Sequence, residues 1–169
     1  VINLRTDNIV RIIPGASGED LAANENALEV GGGQLYAGSD PDGVPTWTEE
    51  KVLTIEAKDG LKSVTVEGVE LTLNQTATIS GEYGQLEATL TSNGDGTYNL
   101  TYKYLLEVRA QHADGQGTKP DLAAGETPEK FAVVVKDIDD DTANIDIDVS
   151  IIDDVPSIAF TTQDGTLIE

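Results

Sequence analysis

The stretch Ala143-Asn-Ile-Asp-Ile-Asp-Val-Ser-Ile151 decides the fold. Ala143, Ile145, Ile147, Val149 and Ile151 alternate with Asn144, Asp146, Asp148 and Ser150, a period of two that sends one face into a core and the other into water. Working outward, Tyr98, Leu100, Tyr102, Tyr104 and Leu106 repeat the pattern directly after Asn93-Gly94-Asp95-Gly96. With Leu86, Ala88 and Leu90 before that turn, they predict a hairpin. A second hairpin is expected where Val52 to Ile55 and Val64 to Val66 flank Asp59-Gly60, a dipeptide suited to a type I′ turn. Further strands are expected at Glu70 to Leu73, Ala77 to Ser80 and Phe131 to Lys136. One helical candidate stands against them, Glu19 to Leu28, with Ser17 or Asp20 as cap and Leu21 and Leu28 facing inward. Many short strands, turn signals and at most one short helix predict an all-β fold, an immunoglobulin-like or cadherin-like β-sandwich with long loops at 30–46 and 112–128.

Composition narrows the function. The 169 residues suffice for one domain with a sizeable core. A formal charge of -21, from 31 acidic and 10 basic residues, repels nucleic acid and anionic membranes and favours bound cations. With no cysteine there is no disulfide, thiolate metal site or cysteine nucleophile. No apolar run approaches a membrane span, and Val1 to Arg5 has no signal-peptide core, so no membrane insertion is expected. The complete lack of methionine points to a segment of a longer polypeptide.

The acidic residues concentrate where chemistry is expected. Asp137, Asp139 and Asp141 recur at every second position before the decisive strand, and Asp153 and Asp154 follow it, ahead of Pro156. Crowded carboxylates raise one another's pKa unless a cation sits between them, and calcium accepts six to eight oxygens in flexible geometry. An EF-hand does not fit: counted from Asp137, the sixth position is Thr142 instead of glycine and the twelfth is Asp148 instead of glutamate. Asp146 and Asp148, on the polar face of the strand, read as solvated surface. Two carboxylates beside a rigid proline exit suit a junction.

Together Gly94-Asp-Gly-Thr-Tyr-Asn-Leu-Thr-Tyr102, His112, Val133-Val-Val-Lys-Asp-Ile-Asp-Asp-Asp-Thr-Ala143 and Ile151-Ile-Asp-Asp-Val-Pro156 resemble the tandem immunoglobulin-like or cadherin-like repeats of giant type I secreted adhesins of Gram-negative bacteria, the RTX adhesins. The resemblance covers 81–160 best and implies a single β-sandwich module over 1–160, with 161–169 a linker or the start of the next repeat. It implies Ca2+ held by Asp137, Asp139, Asp141, Asp153 and Asp154, with Glu19 and Asp20 a weaker N-terminal contribution. Asp140 stands where that family's acidic loop has glycine, adding charge and costing backbone freedom. The implied setting is extracellular, on a bacterial surface after type I secretion. Its partners there would be neighbouring repeats of the same polypeptide, a host-cell or biofilm ligand, or a second copy. The implied role is a spacer, or a scaffold near the ligand-binding end, in cell adhesion and biofilm formation.

Catalysis finds little to stand on: His112 is the single histidine, and no serine sits in a Gly-x-Ser-x-Gly setting, so the chain reads as a non-enzyme. The rival reading is a carbohydrate- or peptide-binding domain, or a homophilic dimerising one. Trp47 and Tyr36 could supply an aromatic platform beside the acidic loop, although a tryptophan in this setting is more often a core anchor.

Overall fold

The computed structural model describes residues 9–25, 46–108, 110 and 129–152. Among the described residues ten strands follow in chain order: β1 (Arg11–Pro14), β2 (Leu21–Asn24), β3 (Lys51–Glu56), β4 (Leu61–Val66), β5 (Val69–Glu70), β6 (Thr76–Ser80), β7 (Gly84–Ser92), β8 (Thr97–Leu106), β9 (Glu129–Asp137) and β10 (Thr142–Ile152). They form two five-stranded sheets. Sheet 1 has the order β1-β3-β8-β7-β6 and sheet 2 the order β2-β10-β9-β4-β5. Taking β3, β8 and β7 as strands B, E and D, and β4, β9 and β10 as C, F and G, this is the strand order of an immunoglobulin-type sandwich. The first part of the chain is shared between the sheets, β1 antiparallel to β3 and β2 parallel to β10.

The alternations place the core where the sequence puts it. Ile147, Val149 and Ile151 of β10, Phe131, Val133 and Val135 of β9, and Leu100, Tyr102, Tyr104 and Leu106 of β8 are all buried. Tyr104 of sheet 1 meets Phe131 of sheet 2 with ring centroids 6.0 Å apart and a tilt of 58°, a geometry aromatic quadrupoles favour. The hairpin across Asn93–Gly96 forms as expected, β7 and β8 pairing from Gly84↔Leu106 to Ser92↔Tyr98.

Two expectations are corrected. Residues 52–55 and 64–66 do not form a hairpin: β3 pairs with β8 in sheet 1, β4 with β9 in sheet 2, and the turn at 57–60 carries the chain across the sandwich. Leu53, Ile55 and Ala57 thereby face the core from one sheet, and Val64 and Val66 from the other. A hairpin would have put both apolar stripes on one sheet; the crossing lets them face each other. The helix expected at 19–28 is replaced by strand β2 over Leu21–Asn24, with Leu21 and Ala23 buried and Ala22 and Asn24 exposed. The edge of β10 supplies its hydrogen bonds, and that tertiary pairing overrides a marginal helical preference. At 70–73 the pairing is shorter than expected, since β5 is two residues long and Leu73 makes a single bridge to Leu90. Strand β1 carries no alternation long enough to have been foreseen.

The facing of β10 has a direct test in urea unfolding. Replacing buried Ile147 by alanine is expected to cost about 2–5 kcal/mol. Asp146→Ala, which loses an exposed pairing with Lys130, should cost less than about 1 kcal/mol. Comparable losses at the two positions would mean the register is wrong.

Candidate metal-binding hairpin

Asp137 ends β9 and Thr142 begins β10, so the first aspartate group forms the turn between them. The Asp137 amide donates to the Asp141 carbonyl at 3.1 Å, and the Asp140 amide to the Asp137 carbonyl at 3.2 Å. Asp140 has φ +70°, the left-handed region. A turn followed by one left-handed residue is a common three-residue hairpin connection, and the last position ordinarily calls for glycine. Aspartate and asparagine bear that conformation better than most side chains, which explains how Asp140 occupies it.

Asp137 does the local structural work. Its Oδ1 accepts from the amides of Asp139 at 3.1 Å and Asp141 at 2.9 Å, the side-chain turn that suits aspartate to the first turn position. The same carboxylate continues the inward stripe of Phe131, Val133 and Val135 and is fully buried. Its Oδ2 finds no hydrogen-bond partner among the described residues. A buried, unmatched carboxylate oxygen is costly and is a natural ligand for a hard cation.

Around it, three turns clasp one another at this pole. The Ile138 amide donates to the Gly60 carbonyl at 3.1 Å, and the Ala57 amide to the Gly96 carbonyl at 2.9 Å. Gly60 has φ +116°, and a Cβ there would press on the Ile138 side chain at 3.3 Å. Lys62 Nζ lies 2.5 Å from Asp140 Oδ1, and this hydrogen bond, then the lysine charge, holds the Asp140 carboxyl below its usual range. Hydrogen bonds from the Thr97 hydroxyl and amide do the same for Asp95.

As a calcium site the hairpin is a partial donor set. Asp137 contributes one buried oxygen, Asp139 is exposed and Asp141 half-buried. Among the described residues no three histidine, cysteine, aspartate or glutamate side chains converge as a metal cluster. Asp153 and Asp154 lie outside the described residues, as do His112, Tyr36 and most of both long loops. The eleven residues of β10 span about 35 Å, so the hairpin and Ile152 lie at opposite poles. Glu19 and Asp20 are not brought to the hairpin. The Glu19 carbonyl accepts from the Tyr102 hydroxyl at 2.6 Å, and Asp20 Oδ1 from the Asp148 amide at 3.3 Å. Asp146 is exposed and Asp148 half-buried, both beside Lys130.

Two acids that the sequence reading passed over are buried toward the other pole. Glu129 begins the inward stripe of β9, and its carboxylate accepts from the Tyr83 amide. Glu25 Oε1 accepts from the Ala110 amide at 2.7 Å. Burial, then the neighbouring Glu129 carboxylate, push the Tyr104 phenol far above its ordinary range. Extending the β9 alternation one step before Phe131 would have flagged Glu129; nothing in the local pattern flags Glu25.

The class defined by these features is an immunoglobulin-type β-sandwich with an acidic, turn-clasped pole. No known protein family, curated protein or solved structure matches the chain.

The two roles of Asp137 separate by substitution. In chelator, Asp137→Ala is expected to lose about 1–2 kcal/mol through the two orphaned turn amides. Asp137→Asn, which keeps an acceptor and removes the buried charge, should be within about 1 kcal/mol of wild type. At the left-handed position, Asp140→Gly should exceed Asp140→Ala in stability by about 1 kcal/mol. Chemical denaturation of the four variants reads both comparisons.

Proposed function

We propose that the chain is a calcium-stabilised structural module of a large bacterial surface adhesin, one link in an extended string. The observation that carries this reading is the placement of the first and last described strands. Strand β1 starts beside Glu56 and Thr97 at the hairpin pole, while β10 ends beside Asn24 at the other. Modules entered at one pole and left at the opposite one stack end to end without doubling back. Acidic residues occur at both places where such a string would join, in the hairpin and, by sequence, directly after Ile152. The charge of -21 adds a general demand for counterions.

In this reading Asp137 Oδ2, Asp139 and Asp141 hold calcium at one pole, and Asp153 and Asp154 at the other. Calcium supplies fixed positive charge that relieves the carboxylate crowding and ties the turn to whatever precedes it. Extracellular calcium modules typically bind with dissociation constants of ~0.1 to 1 mM. At about 10 mM calcium, one such site stabilises the fold by roughly 1.4 to 2.7 kcal/mol. The melting temperature should then rise by roughly 3 to 10 °C over a chelated sample. Asp139→Asn with Asp141→Asn should remove most of that rise. Equal melting temperatures with calcium and with chelator would refute the proposal, and an undiminished rise in the double variant would move the site to the exit pole.

A further inference from the structure

The outer face of sheet 1 combines rows of hydroxyls with the chain's single tryptophan at its edge. Its outward positions carry Arg11 and Lys103 against Glu56 and Glu87, a sum of zero in a chain of -21. In the strands of sheet 2, with Glu129 and Asp137 buried, Lys62, Lys130 and Lys136 likewise balance Glu70, Asp146 and Asp148. The alternation that buries Leu100 and Tyr102 turns neutral hydroxyls and amides outward instead. Val52, Thr101, Thr89 and Thr76 form one row across four strands, and Thr54, Asn99 and Thr91 the next. Hydroxyls thus recur at about 4.8 Å across the strands and about 7 Å along them. Thr76 Oγ1 and Thr89 Oγ1 are already hydrogen-bonded at 2.8 Å.

Trp47 stands at the edge of this array. The sequence favours a core role for it, yet it is half-buried and outside the core cluster. Its ring lies over Lys103, with Nζ 4.6 Å from the centroid, and Lys103 is in turn 3.3 Å from Glu87. Glu49 and Glu50 border it, both exposed. The hairpin of Asp137 is at the far pole, so Trp47 belongs to a separate surface from the candidate metal site.

We propose that this face binds an uncharged polysaccharide. An indole offers a sugar ring an apolar plate for its C–H face. The adjoining Glu87 carboxylate accepts, and the Lys103 ammonium donates, hydrogen bonds to the equatorial hydroxyls beside that ring. The threonine rows continue the same exchange of hydroxyl for water along an extended chain. Charge selects among ligands: polyanions are repelled by the -21 of the chain, and polycations are drawn to its acidic remainder, while a neutral glycan meets a face whose outward charges cancel.

Trp47 is the chain's single tryptophan, so its fluorescence reports the site directly. Titration with dextran, mannan and arabinogalactan, in chelator, is expected to give a saturable change with at least one of the three. Alginate, an acidic comparator, is expected to give none. Thr89→Val plus Thr101→Val, which preserves shape and β-branching, should weaken the binding at least tenfold. Affinity electrophoresis of Trp47→Ala, with its fold checked by circular dichroism, should show lost retardation. The proposal is overturned if none of the three neutral polysaccharides gives a saturable change, or if the threonine double variant binds as wild type. It is equally overturned if sedimentation shows a wild-type dimer that Trp47→Ala or the threonine variant dissociates, since the face would then pair two copies. Because calcium is chelated throughout, this outcome is independent of the calcium proposal.

Discussion

The register of β9 against β10 is the constraint on which the remaining structure depends. From Thr142↔Lys136 to Val149↔Glu129 the two strands are paired residue by residue, and a slip of one would turn Ile147 and Val149 to water and Asp146 and Asp148 to the core. With that register set, Phe131, Val133 and Val135 face sheet 1, Tyr104 packs on Phe131, and the hairpin must close at Asp137. β10 also offers its outer edge to β2 and β9 its outer edge to β4, so the ladder seeds the whole of sheet 2.

The same register explains why an acid is buried at each end of β9. The inward stripe of this nine-residue strand reaches beyond the apolar middle of the sandwich at Glu129 and Asp137. Each terminal carboxylate accepts backbone amides, from Tyr83 at one pole and from Asp139 and Asp141 at the other, and so ties a loop to the strand end. At the hairpin this leaves one oxygen unmatched, and calcium chemistry enters the proposal there. Structural and ligand roles for Asp137 are therefore not rivals, because they use different oxygens.

In the proposed reading, function divides by surface. The poles carry turns and acids, suited to cations and to neighbouring modules. The outer face of sheet 1 carries hydroxyls, amides and an indole, suited to a neutral ligand. A string of modules could then be stiffened at its joints while presenting binding faces along its sides.

The strands with long alternation were legible in the sequence: β7, β8, β9 and β10 each need their period of two to bury one stripe, and no helix satisfies it. The acidic loop was legible from the crowding of aspartates at 137, 139 and 141, whereas Asp140 read as a costly departure from glycine until the structure placed it in the left-handed region. Other features depended on partners distant in the chain. Residues 52–55 and 64–66 look like a hairpin until β8 and β9 claim them for different sheets. Leu21 to Asn24 look helical until the free edge of β10 supplies their hydrogen bonds. Trp47 reads as a core residue until Lys103 and the outer face of sheet 1 receive it. The sequence by itself determined which side chains face inward along each long strand and where the acidic turn falls, because both follow from periodicity and local backbone preference. Only the tertiary structure decided which strands share a sheet, that Asp137 is buried with one oxygen unmatched, and that Trp47 borders a near-neutral face. Those depend on hydrogen-bonding edges and packing surfaces contributed by residues far apart in the chain.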